Sequence, residues 1–161
     1  AYHGDLGIGN RIEKACLNSA QGARFHPANE AVVYMNHDNT LRADDEDSKR
    51  GLFSASHKAA NCCPLNSGRL MPYYVEGMWY KKNDGKTLLN ILYGPNEVNT
   101  SINGKEITIM EETSYPFSDE IKYTIHSKRP VKFNLELRIP PHSGNPIVKV
   151  SNKREFCKCG F

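Results

Sequence analysis

The sequence predicts an α+β chain in which a helical first half is followed by an antiparallel β-sandwich. Three observations carry that expectation. Before about residue 79, apolar side chains recur about every four positions, the period of a helix face. Beyond it the period falls to two, as in a strand with one buried face. Turn residues then punctuate the second half at near-regular intervals, as in short strands folded into a sandwich.

In the first helix, Ile8, Ile12, Cys16 and Ala20 recur every four residues behind Asp5, a suitable cap. The apolar stripe is narrow, which suits packing against other helices. A short extended piece follows at Ala31-Val32-Val33-Tyr34-Met35. Residues 42–51 include Asp44-Asp45-Glu46-Asp47 and read as a solvated loop, because the run lacks the glycine and terminal glutamate of a calcium loop. Pro64 suits the first position of a second helix, where its missing N–H costs nothing. Leu70, Tyr74 and Met78 then share one face over residues 64–78. Beyond Trp79, Val98 and Ile102 lead through Asn103-Gly104 to Ile107 and Ile109, the signal of a two-residue hairpin turn. Ile121, Tyr123 and Ile125 alternate, and so do Val131, Phe133, Leu135, Leu137 and Ile139. Asn83-Asp84-Gly85, Tyr115-Pro116, Arg129-Pro130 and Pro140-Pro141 supply the turns.

The change of period divides the chain into residues 1–78 and 79–161. Neither half reads as complete: two helices enclose no core unaided, and residues 156–161 stop without a turn or polar tail.

A formal net charge of +3, with basic and acidic residues interspersed, argues against nucleic acid, since phosphate binding needs clustered positive charge. No apolar run approaches the roughly 20 residues that span a bilayer, so the chain reads as soluble with no membrane partner. Ala1-Tyr2-His3-Gly4 lacks the charged and apolar regions of a signal peptide. The compartment stays open between cytoplasm and export.

Five cysteines, Cys16, Cys62, Cys63, Cys157 and Cys159, make an odd number, with two adjacent and two separated by one residue. That spacing fits reduced thiols or metal ligands better than a secreted disulfide framework. Cys62 and Cys63 fall where a loop enters a helix, where backbone N–H groups and the positive dipole end favour thiolate. A thiolate is both a nucleophile and a zinc ligand; the alternative is a pair of buried thiols serving as small hydrophobes. Cys157-Lys158-Cys159 has too short a spacing for the common structural zinc sites. His57 reads as a surface or capping histidine.

The run His57-Lys58-Ala59-Ala60-Asn61-Cys62-Cys63-Pro64-Leu65-Asn66-Ser67-Gly68-Arg69-Leu70 resembles the Cys-Cys-Pro-x-Asn-x-x-Arg signature of glycoside hydrolase family 127. The resemblance extends to Gly4-Asp5, Ile12-Glu13, Asn18 and Tyr34-Met35-Asn36 upstream. Downstream it takes in Leu92-Tyr93-Gly94-Pro95, Glu112-Thr113-Ser114-Tyr115-Pro116 and Leu137-Arg138-Ile139-Pro140. It implies that residues 1–78 are the C-terminal end of an (α/α)₆ catalytic barrel and residues 79–161 a β-sandwich middle domain, truncated at its C-terminal end.

The same resemblance implies a retaining exo-glycosidase acting on β-L-arabinofuranosides or related sugars. Its cofactor is a zinc ion held by a glutamate and three cysteines. Cys62 matches the nucleophile and a zinc ligand, Cys63 a structural zinc ligand, and Tyr34 a tyrosine beside the nucleophile that binds sulfur or sugar. The partners implied are an arabinose-containing oligosaccharide or glycan and the missing remainder of the parent chain. The family's Glu-x-Cys motif and general acid glutamate belong before Ala1, so this chain alone is expected to be inactive. Glu13 and Cys16 align with a later helix and are not taken as ligands.

The competing reading is a non-catalytic β-sandwich module that binds carbohydrate or a partner and uses its cysteines for packing. Sugar platforms stack rings on Trp or Tyr, and Trp79, Tyr73, Tyr74 and Tyr80 are the candidates. Clustered at the helix-to-strand junction, they suit a seam between domains better than an open platform. Adjacent cysteines at a helix start favour the enzyme.

Overall fold

A computed structural model of the chain describes residues 6–20, 33–36, 53–55, 62–150 and 153–156. The chain splits into two compact units, Arg11–Glu76 and a second made of Ala1–Asn10 with Gly77–Phe161.

Helix α1 (Leu6–Lys14) is continued by a π-helical segment, Ala15–Ala20. The sequence predicts one uninterrupted α-helix to Ala20; the structure turns to π-helix at Ala15, and Glu13 is buried together with Cys16 while Ile12 is only half-buried. Strands β1 (Val33–Asn36) and β2 (Phe53–Ala55) pair antiparallel, and β2 is an element the sequence did not announce. The acidic run 44–47 lies outside the described residues. Helix α2 (Cys62–Glu76) opens two residues before Pro64, and packs against β1 and the π-helical segment. Among the described side chains of α2, Tyr74 is buried, as the helical period predicts.

The second unit holds two three-stranded sheets around one core. Strands β3 (Trp79–Lys81), β4 (Thr87–Asn90) and β8 (Asn134–Leu137) form one sheet; β5 (Asn96–Ile102), β6 (Lys105–Thr113) and β7 (Ile121–His126) form the other. Strands β9 (Ile147–Val150) and β10 (Lys153–Phe156) make a separate antiparallel hairpin. Leu88 of β4 meets Ile102, Ile107 and Ile109 of the facing sheet, with Trp79, Tyr123, Val131, Phe133 and Leu135 packed around them. One face of each sheet therefore supplies the apolar interior that neither could bury alone.

Asn103 and Gly104 both take positive φ, 51° and 71°, so the β5–β6 turn has the backbone expected of Asn-Gly. Asp84 organises the β3–β4 turn, accepting from Lys86 N at 2.8 Å, Thr87 N at 2.9 Å and the Thr87 hydroxyl at 2.6 Å. Those bonds hold its carboxyl below the usual range.

Two details differ from the expected antiparallel sandwich. β8 runs parallel to β4, with Thr87 opposite Asn134 and Asn90 opposite Leu137. After β7 the chain crosses to the other sheet and enters beside β4 in the same direction, a pairing that side-chain alternation cannot reveal. The alternation over 131–139 also overstates the strand: Val131 and Phe133 pack on the core from an irregular approach. Among the described residues no helix is long and apolar enough to cross a membrane.

Candidate active site

Cys62 and Cys63 are the first two residues of α2, at the helix entry that the sequence predicts for the pair. Their side chains lie outside the described residues. Tyr34 stands on β1, one of the elements packed against α2. Pairing passes from Val33 opposite Ala55 to Met35 opposite Ser54, leaving Tyr34 without an opposing residue. Such a bulge re-aims a side chain and recurs beside active sites. The fold thus brings the elements carrying Tyr34 and the cysteine pair together. His57, Cys157 and Cys159 lie outside the described residues.

Cys16 offers a contrast within the same unit. It is a free, buried thiol, and burial pushes its pKa up, which makes it a packing residue rather than a nucleophile. A tetrahedral zinc site takes four ligands, and the adjacent thiols of Cys62 and Cys63 offer two sulfur donors. Half of a zinc site therefore fits this helix entry. Among the described residues no group of three or more His, Cys, Asp or Glu is placed to hold a metal.

The other unit contains a polar centre that the sequence reading missed. Glu111, 1% exposed, accepts from Gly94 N at 3.2 Å, Asn90 Nδ2 at 3.1 Å and Asn96 Nδ2 at 2.7 Å. Asn90 in turn accepts from the Tyr123 hydroxyl at 3.1 Å, and Asn96 from Trp79 Nε1 at 2.8 Å. Burial raises the Glu111 pKa against the opposing pull of these donors. Tyr123 is pushed up as well, by burial first and then by neighbouring Glu111. Trp79 is therefore tied into the interior, where it meets Tyr123 edge-to-face, and Tyr74 is buried; neither is an open platform for a sugar.

Arg138 is the second buried charge. Its Nε donates to Ile91 O and its Nη1 to Asn10 Oδ1 at 2.7 Å. The guanidinium lies 5.4 Å from the Tyr93 ring centroid, and the Tyr93 hydroxyl donates to Arg138 O. Gly9 allows the close approach, since a Cβ there would stand 3.0 Å from Arg138 Cδ, tighter than ordinary van der Waals contact. Together Glu111 and Arg138 fix the buried segment 90–94 that joins the two sheets. A signal for Glu111 was available: it continues the inward parity of Ile107 and Ile109. Arg138 gave none, because strict alternation from Leu135 points it outward and only the end of β8 at Leu137 reverses that.

Residues 87–158 match the family model described as "Beta-L-arabinofuranosidase, GH127 middle domain". That segment resembles a GH127 middle domain. The matched segment opens at β4 and includes both Glu111 and Arg138. Among solved structures, the crystal structure of a GH127 β-L-arabinofuranosidase from Geobacillus stearothermophilus T6 is similar, with a TM-score of 0.79 at 21% identity. The match covers 95% of this chain and 24% of that one, so the chain spans about a quarter of the length of the solved enzyme. No curated protein matches the chain.

Proposed function

We propose that the chain is part of a retaining exo-glycosidase that removes β-L-arabinofuranosyl or related residues, with residues 1–78 forming the end of its helical catalytic barrel. The observation that carries this reading is the helix-entry cysteine pair in a chain whose residues 87–158 match the GH127 middle-domain model. The bulge at Tyr34, on a strand packed against α2, supports it. So does α2 itself, where Tyr73 is 66% and Val75 54% exposed, apolar surface suited to further helices of a longer chain.

In this mechanism the Cys62 sulfur attacks the anomeric carbon, and the carbon–oxygen bond to the leaving group breaks. A glutamic acid from the rest of the enzyme protonates the departing oxygen. Water then displaces the sulfur from the same carbon, and two inversions restore the starting configuration. Cys62 and Cys63, with ligands from elsewhere in the enzyme, would hold a zinc ion, whose charge would keep the sulfurs deprotonated at neutral pH. Positive partial charge at the start of α2 acts in the same direction. Tyr34 hydrogen-bonds the sulfur or the sugar and orients the attack.

In the full-length enzyme, Cys62→Ser should lower turnover by more than about a thousandfold, since a hydroxyl is a much weaker nucleophile. Cys63→Ser should lose activity together with zinc, and a metal assay run beside the rate separates the two. A mechanism-based inhibitor should leave a glycosyl adduct on the Cys62 peptide. Wild-type turnover in Cys62→Ser with zinc retained would show that the cysteine is not the nucleophile.

A further inference from the structure

We infer that the middle domain carries a second carbohydrate site, a cleft in which a sugar ring stacks on the Tyr115–His142 pair. The cleft has a volume of about 730 Å³, within the range of small-ligand sites, and opens between β7, the end of β8 and β9. Tyr93, Tyr115 and His142 give it aromatic walls; Asp119, Lys122 and Lys149 add charged groups of both signs. That combination suits a neutral polyhydroxylated ligand, whose C–H face packs on rings while its hydroxyls both donate and accept.

The platform is held in place from below. The Tyr115 and His142 rings lie nearly parallel, 22° apart with centroids at 6.3 Å, and the Tyr115 hydroxyl is 3.3 Å from His142 Nε2. Tyr115 meets Tyr93 edge-to-face at 5.6 Å, and Tyr93 is itself buried and bonded to the Arg138 carbonyl. A ring backed by a buried ring and a buried arginine loses little freedom when a ligand arrives, the condition for useful affinity from a small contact. None of these residues belongs to the cysteine site. The choice of an arabinose-containing probe rests on the glycosidase reading; the cleft itself does not depend on Cys62.

The test is a titration of the isotopically labelled 161-residue chain with an L-arabinofuranose disaccharide, followed by amide and ring chemical shifts. Saturable shifts should appear at Tyr115, Asp119, His142 and Lys149 and leave β5 and β6 unchanged. Tyr115→Ala and His142→Ala should each weaken binding about tenfold, the loss of one ring contact, while Tyr115→Phe keeps most of it. Unchanged β5 and β6 spectra in each variant establish that the fold is intact. Cys62→Ser should bind as the parent chain does, so failure of the nucleophile assignment leaves this result standing. Absence of a saturable shift up to about 10 mM sugar, weaker than any useful subsite, would overturn the proposal. Equal binding by the Ala variants would overturn it too.

Discussion

Glu111 shows how a single residue can link two sheets at an electrostatic cost. A carboxylate in the interior is stabilised only by its donors, and here three N–H groups converge on it from Asn90, Gly94 and Asn96. The amides cannot simply turn over, because Asn96 Oδ1 is held by Trp79 and Asn90 Oδ1 by Tyr123. Burial nevertheless dominates and raises the Glu111 pKa above its ordinary value of 4.5. The folded state then binds this proton more tightly than the unfolded chain does. Stability from this group is accordingly fully present below about pH 4.5 and is lost as pH rises through the raised folded value. Urea unfolding of wild type and Glu111→Gln over that range should show the wild-type advantage shrinking as pH rises. A growing advantage would mean that the three donors outweigh burial. Parity along β6 made the position of Glu111 legible in the sequence. Its partner Asn96 follows from the hairpin register, which sets it opposite Glu111, but Asn90 does not, because it comes from β4 in the other sheet and local pattern carries no information about that meeting.

Among the elements, the β5–β6 hairpin was the most legible because its turn chemistry and its core pattern agree. Ile102 pairs with Lys105 across the turn, and the same register puts Ile102, Ile107 and Ile109 inside, each no more than 2% exposed. A slip of one residue would send all of them to solvent. Gly104, at φ 71°, is a position where a Cβ strains the backbone even though open space surrounds it. Gly104→Ala should therefore destabilise the chain by about 1 kcal/mol through backbone strain alone. An unchanged midpoint in chemical denaturation would show that the turn relaxes to another type. β2 and the parallel β8 were illegible for opposite reasons. Three residues, Phe53–Ala55, are too short to show a period, whereas β8 shows its period clearly but its neighbour and direction are set by the crossover after β7.

At the scale of the whole molecule, the two units draw on different sources of stability. In the Gly77–Phe161 part, Leu88, Ile102, Ile107 and Ile109 form a core almost sealed from water, and β5–β6 pairs over its full length. Helix α2 in the other unit has weaker local support. Pro72 lies in its interior and removes the hydrogen bond to the carbonyl of Gly68, itself a poor helix former. At 15 residues α2 is near the length at which an isolated helix is marginal in water, so it depends on packing, yet Tyr73 and Val75 are exposed while Tyr74 is buried. Native-state hydrogen exchange should thus find the strongest protection at the paired amides of β5 and β6. Amides of α2 should exchange at least about 100-fold faster, a difference of roughly 3 kcal/mol in opening free energy. Joining the chain to the remaining helices of the proposed barrel should slow the α2 amides and leave β5–β6 little changed, because only α2 would gain partners for its exposed apolar side chains Tyr73 and Val75. Equal protection of α2 and β6 in the 161-residue chain would contradict this assignment, since it would require the helix to be stabilised without those partners.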